Sequence, residues 1–409
     1  MRDKKRLILL IAGCAILFGG NAAFAQGWPQ WRGVNRDGHA SGFEAPAKWP
    51  DQLAQKWRVT VGTGCATPAL VGDKLYVFTR QGSDEVLSCL DAGSGKILWS
   101  DKYATREVTG AASRHPGPRS SPTVADDKIV ALGVGGVLSC WDTSGKRLWQ
   151  EDPFPGSAPR FFTSTSPIVV DGMVICHLGK EGAGAIIAYE LASGQEKWRW
   201  DGAGPDYGSA VLLSVAGTKQ IAAPTEKSVV GLAVADGKLL WELPSAPPRR
   251  AYNASTPIVD GQTVIYSAKG RGTKALKIVK QGDGFKAEQL WNNDELGVQY
   301  NTPVLENGLL FGMSDSGNLF CINAKTGATA WKDSQGLDRG GFGQTVAAGS
   351  VIMALPSSSD LIVFKPSAAG YTELAKIKVA DSPSYATPVA AGKAIYVKDQ
   401  ESLIKLTVN

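Results

Sequence analysis

The residues that first suggest chemistry are Gly93-Ser94-Gly95-Lys96, inside the stretch LDAGSGKILWS running from residue 90 to residue 100. A glycine-rich turn ending in lysine is what a loop wrapping a nucleotide phosphate requires. The match fails twice: Ile97 stands where Ser or Thr would hold the magnesium, and no glycine lies five positions before Gly95. Hydrolytic and zinc chemistry find no better footing. The three histidines, His39, His115 and His177, are scattered, and no Gly-x-Ser-x-Gly elbow or Cys-x-x-Cys pair accompanies them. No catalytic or metal-binding residue is therefore assigned.

The Gly-Lys stretch comes back instead. WDTSGKRLWQ, YELASGQEKWRW, LAVADGKLLWEL and INAKTGATAWKD repeat it, ending in Trp149, Trp198, Trp241 and Trp331 beside the first at Trp99. With Trp57 and Trp291 the tryptophans recur about 40–50 residues apart, the length of one four-stranded propeller blade. A second marker, Ser or Thr before Pro opening a short apolar strand, falls at Pro68, Pro122, Pro167, Pro257, Pro303 and Pro388, with degenerate copies around Ala210 and Thr345. Proline at a strand start leaves no ladder donor missing. Eight openings predict an all-β, eight-bladed propeller. Its last unit has three strands and its N-terminal Trp57 strand has no unit of its own, so pairing the two closes the ring and removes free edges. The seventh unit is the weakest copy, with ELAKIKVA (373–380) in place of a tryptophan strand.

Composition agrees with this class: 48 glycines and 22 prolines in 409 residues, 43% hydrophobic and 20% charged. Residues 1–25 read as an export signal. Arg2, Lys4, Lys5 and Arg6 precede an apolar run over 7–18, and Ala23-Phe24-Ala25 is a small-x-small cleavage site. Ile11-Ala12-Gly13-Cys14 also fits a lipobox, so lipidation at Cys14 stands as the alternative. Removing 1–25 takes four basic residues and one acidic one, lowering the net charge from +5 to +2, so the basic balance does not argue for nucleic acid. No later stretch is long and apolar enough to span a membrane as a helix. Residues 26–50 form a leader carrying Trp28 and Trp31, expected to pack on the propeller or cover a channel end, and 51–409 the propeller, expected as a monomer. Cys89, Cys140 and Cys321 precede repeat tryptophans at equivalent positions, where other units have Ala188 and Gly231, and read as small buried residues. The pairing of Cys65 and Cys176 stays open.

The blade register also places a candidate site. Three residues before each opening stand Cys65, Arg119, Ser164, Tyr207, Ala254, Tyr300, Phe342 and Tyr385. Structural positions in a repeat tend to be uniform, whereas this ring is varied and holds four aromatics, either plugging one end of the central channel or forming a binding mouth there. The loops on the same face add Arg106, Arg114 and His115, then Arg160-Phe161-Phe162, then Arg249-Arg250-Ala251-Tyr252, then Arg339. Arginine beside aromatics is the composition of interface hot spots and also grips carboxylates or phosphates.

The Gly-Lys-x-x-Trp endings at Gly95 to Trp99, Gly145 to Trp149 and Gly237 to Trp241, with the Ser/Thr-Pro openings, resemble the PQQ-like propeller repeats of quinoprotein alcohol dehydrogenases and of the BamB-like outer-membrane assembly lipoproteins. The stretch from Gly27 to Gly42 is similar to the leader of secreted propellers of this kind from planctomycetes. The resemblance implies the fold over residues 50–409 and two functions. One is a non-catalytic scaffold for envelope protein partners, in the periplasm, secreted or lipid-anchored. The other is a PQQ-dependent dehydrogenase, which by family pattern needs an adjacent Cys-Cys pair and a calcium site with an aspartate base. No Cys-Cys pair exists here, and the turns at Asp315–Asn318 and Asn35–Gly38 lack a clustered Asp-x-Asp-x-Asp loop. A glycan-binding module is the third reading, favoured if the tyrosines and arginines form an open groove.

Overall fold

The computed structural model describes residues 27–408 apart from 247, 249, 250 and 339. The export signal and lipobox, and Arg249, Arg250 and Arg339, lie outside the described residues. The chain folds into eight four-stranded antiparallel sheets. Blade 1 is built from Ala69–Val71, Lys74–Gln81, Asp84–Asp91 and Ile97–Ala104. The innermost strands of blades 2 to 8 begin at Thr123, Ile168, Val211, Ile258, Val304, Gly343 and Val389. The last blade takes its fourth strand from the start of the propeller: Ala54–Thr60 pairs with Ser402–Thr407, placing Trp57 opposite Lys405. Blade 7 keeps four strands without a tryptophan, its outer strand being Glu373–Lys378.

Local chemistry explains the strand ends. Asp171-Gly172 and Asn307-Gly308 turn with both residues at positive φ (50° and 73°, 50° and 75°), the geometry of a tight hairpin between right-twisted strands. Each repeat tryptophan sits across from a small residue on the third strand: Trp99 faces Cys89, Trp149 Cys140, Trp198 Ala188, Trp241 Gly231, Trp291 Ala275 and Trp331 Cys321. A bulge follows each of these six partners. Only small side chains leave room for the indole there, which is why three cysteines recur at this place. Cys89, Cys140, Cys176 and Cys321 are buried, and all five described cysteines are free.

Two devices join the blades. The first is the Gly-Lys turn. Trp99 donates its Nε1 hydrogen to Thr143 O (3.1 Å), Trp149 to Leu191 O (2.9 Å) and Trp198 to Val234 O (2.9 Å), each acceptor lying in the last turn of the next blade. The glycine of that turn lies under the arriving indole. Trp241 breaks the pattern and donates to Gln220 Oε1 of its own blade, because blade 5 ends in the long hairpin Gly272–Gln281 and Gly284–Asn293 with no such turn.

The second device explains the Ser/Thr before each proline. The backbone N–H of Thr387 donates to the Thr67 hydroxyl (2.9 Å), Thr67 to Ser121 (3.0 Å), Ser121 to Ser166 (2.9 Å), Ser166 to Ser209 (2.9 Å), Ser209 to Thr256 (3.3 Å) and Thr256 to Thr302 (3.0 Å). A belt of side-chain hydroxyls thus satisfies buried amides from blade to blade around the axis. It lapses only at blade 7, where Gln344 holds the equivalent place.

The leader closes the channel below this belt and touches every blade. Trp28 exchanges backbone hydrogen bonds with Leu70, Pro29 O accepts from Val124 N, Ala40 N donates to Ala347 O and Glu44 N to Gly392 O. Trp31 Nε1 donates to the Thr256 hydroxyl (2.9 Å). Arg32 reaches Thr302 O and Pro303 O (3.0 and 2.8 Å), while Arg36 forks to Ala210 O, Pro167 O and Ser166 O (2.9, 2.9 and 3.1 Å). Both arginines are buried, and burial pulls their pKa values down to about 10 and about 9. Main-chain carbonyls replace the water that each guanidinium gives up.

Candidate functional site: a blind aromatic cavity

Above the belt the channel widens into a cavity of about 500 Å3, with the Trp31 indole among its lining groups. That volume is typical of small-ligand sites. All eight residues standing three places before the strand openings line it, from Cys65 and Arg119 through Tyr385. Each blade enters its inner strand from the same height, so the repeat register becomes a ring of side chains. The aromatic ring is an open mouth, not a filled plug.

The wall is sided. On blades 6 to 8, Tyr300 and Phe342 stack face to face at 4.1 Å and 9°, and Tyr385 meets Phe342 edge-on at 5.6 Å. On blades 3 to 5, Phe161, Tyr207 and Tyr252 form a cluster with centroids 5.3–6.2 Å apart, Tyr252 standing edge-on to the other two rings. Tyr207 is held by Phe161 N, which donates to its hydroxyl at 3.1 Å. The third side is basic. A one-turn 3-10 helix, Gly110–Arg114, brings Arg114 and His115 to the rim, and Arg119 lies beneath them. Arg119 Nη2 donates to His115 O at 2.9 Å, while its Nη1 is shielded and has no partner among the described residues. Burial, with Arg119 and Arg114 beside it, holds the His115 pKa below the ordinary histidine value. His115 packs edge-on against Tyr385 at 4.8 Å.

Two loop arginines stand apart. Arg160 is exposed and lies over the Phe161 ring at 5.3 Å, outside the cavity lining. Arg106 covers Phe162 at 5.0 Å. His177 is buried, with Nε2 3.0 Å from Ala203 O, and His39 lies in the leader between Asp37 and Glu306. The floor, Trp31, was legible only as a tryptophan in an otherwise polar leader. Asp206, which anchors the Tyr207–Tyr252 wall by accepting from Asn253 N at 2.5 Å, carried no sequence signal.

The lining contains no Asp or Glu. Cys65 lies in the cavity with its thiol pKa raised by burial, against the opposing pull of Arg119 and Lys398. No group of three or more His, Cys, Asp or Glu suited to a metal exists among the described residues. A calcium-assisted quinone site needs carboxylate oxygens and a base, and the residues that line this cavity do not fit one.

The family model described as outer membrane protein assembly factor BamB matches residues 50–199 and 83–333, together more than half of the sequence. The chain belongs to that family. It is 23% identical over 367 residues to outer membrane protein assembly factor BamB of Burkholderia pseudomallei, covering 85% of this chain and 86% of that protein. A shorter match, 28% over 141 residues, links 33% of this chain to 19% of the quinohemoprotein alcohol dehydrogenase of Comamonas testosteroni. Among solved structures, BamB from Moraxella catarrhalis superposes with a TM-score of 0.65 at 15% identity, over 87% of this chain and all of that one. The Comamonas dehydrogenase gives 0.69 at 15% identity, over 95% and 81%. At such identities the structural likeness is one of fold.

Proposed function

We propose that this chain is an exported, non-catalytic propeller scaffold that docks envelope proteins and takes part in outer-membrane protein assembly. The observation that carries it is the composition of one face: aromatic side chains and arginines without ion pairs ring the cavity mouth, with no carboxylate, nucleophile–base pair or metal cluster among the described residues of the lining. Exposed arginine over aromatic rings, as at Arg160 and Phe161, is the pattern of interface anchors. The kinship with BamB proteins supports an assembly role, and the signal-like residues 1–25 support export.

Replacing Arg160 with a photocrosslinking amino acid tests this in cells. Crosslinks to a defined outer-membrane assembly component, absent when the probe stands at the exposed Leu290 on the outer strand of blade 5, are expected. Crosslinks equally distributed between the two positions, or a chain retained in the cytoplasm with its first 25 residues, would overturn it.

A further inference from the structure

We propose that the blind cavity is a binding site for an acidic sugar, with ring faces stacked on its aromatic walls and a carboxylate received on its basic side. This goes beyond the scaffold reading: both draw on the same aromatic and basic mouth, but a sugar enters the cavity whereas a protein partner would meet the exposed Arg160 outside its lining.

Shape comes first. The leader crosses the channel with Trp31 in the cavity lining, and a volume of about 500 Å3 suits a short oligosaccharide rather than a folded partner. The wall supplies flat apolar surfaces along one continuous arc, the Tyr207–Tyr252 cluster of blades 4 and 5 followed by the Tyr300–Phe342 stack of blades 6 and 7. Sugar rings present C–H faces to such surfaces and hydroxyls at their edges.

The hydroxyls find partners too. Among the described residues, Tyr207 alone of the cavity tyrosines has its hydroxyl engaged by the protein. The phenol groups of Tyr252, Tyr300 and Tyr385 are free to donate and accept. A purely aromatic guest would leave those three groups unanswered as it displaced their water, and polar groups left without partners in a closed site weaken binding.

Charge then selects the acid. Arg114 and Arg119 form no ion pair among the described residues, and no lining residue carries a negative charge. Arg119 lines the cavity, and its guanidinium donates once, from Nη2 to His115 O, without an ion pair among the described residues. A carboxylate entering beside it supplies the missing counter-charge.

Calorimetric titration of the residue 26–409 protein with trigalacturonate, galactotriose and 4-phenylbenzoate tests the proposal. Trigalacturonate is expected to bind, with the neutral trisaccharide and the aromatic acid each weaker by about tenfold or more. Arg119→Gln should erase the preference for the acid, weakening trigalacturonate roughly ten- to a hundredfold, the range for losing a charged hydrogen bond. Tyr300→Phe, which keeps the stack and removes one hydroxyl, should weaken both sugars alike. Equal affinity for galactotriose, tighter binding of 4-phenylbenzoate, or no heat from trigalacturonate on the unaltered protein would each overturn it. These comparisons on the unaltered chain hold even if a variant misfolds. Crosslinking from position 160 reports separately on the scaffold role, so failure of one reading leaves the other visible.

Discussion

Gly237 turns at φ +73° directly beneath the indole of Trp198, so that a Cβ added there would lie 2.4 Å from Trp198 Cε3. The indole in turn donates to Val234 O at 2.9 Å. The same contact joins Trp57 to Gly95, Trp99 to Gly145, Trp149 to Gly194 and Trp291 to Gly327. What resembles a phosphate loop in the sequence is therefore the socket for the preceding blade.

Gly237→Ala should accordingly destabilise the ring by about 1–3 kcal/mol, through crowding of the buried indole and the left-handed backbone. Gly282→Ala has a similar φ of +58° but open space around the new methyl. It should lose only the backbone part. Urea denaturation of the two variants separates socket from turn, and equal losses would contradict the docking role.

Arg36→Met should orphan the carbonyls of Ala210, Pro167 and Ser166, at about 1–3 kcal/mol for each that water cannot reach. Limited proteolysis should then cut within residues 27–45 while the blades stay intact. Arg36→Lys should rescue little, since one ammonium cannot reproduce the planar fork. A leader as resistant as in the parent would show that the aromatic contacts of Trp28 and Trp31 suffice.

Ser166→Ala removes one link of the hydroxyl belt and leaves Ser121 N–H without its acceptor. A loss of about 1–3 kcal/mol is expected in thermal or chemical unfolding. Ser166→Thr should be close to neutral, because other units already use threonine at this place.

His39 titrates above the ordinary value of 6.5, chiefly because of Asp37, 3.3 Å from Nδ1, with burial opposing and Glu306, 3.0 Å from Nε2, adding to it. The folded state thus holds the proton more tightly than the unfolded one. Its contribution is complete below the unfolded value and disappears as pH rises through the folded one. His39→Gln should flatten the decline in stability from about pH 6.5 upward, read as the shift in urea midpoint.

Asp206 gives a second, lower window. Burial raises its pKa from 3.8 to about 7, with Asn253 N opposing and Glu181 and Glu226 adding to the rise. Between these values the unfolded chain releases a proton that the folded chain keeps, so stability falls as pH climbs from about 4 to 7 and levels off above. Asp206→Asn should remove that slope. Since Asp206 anchors the Asn253 backbone next to Tyr252, the variant should also change tyrosine signals from the cavity wall.

The blades, their number, the closure through the Trp57 strand and the burial of Cys89, Cys140 and Cys321 were legible in the sequence, because each repeats at a fixed spacing and rests on local pairing. The ring of Cys65, Arg119, Ser164, Tyr207, Ala254, Tyr300, Phe342 and Tyr385 was legible for the same reason: one register position in every unit must reach the same height around the axis. What only the tertiary structure decided lies on the axis itself. Arg32 and Arg36 look like turn residues in sequence, and nothing local says that blades 3, 4 and 6 will aim their carbonyls at them. Trp31 becomes a floor and Asp206 a wall anchor only when residues far apart in sequence converge there. Such groups are chosen by long-range packing and by the need to satisfy buried polar atoms, and neither leaves a period to read.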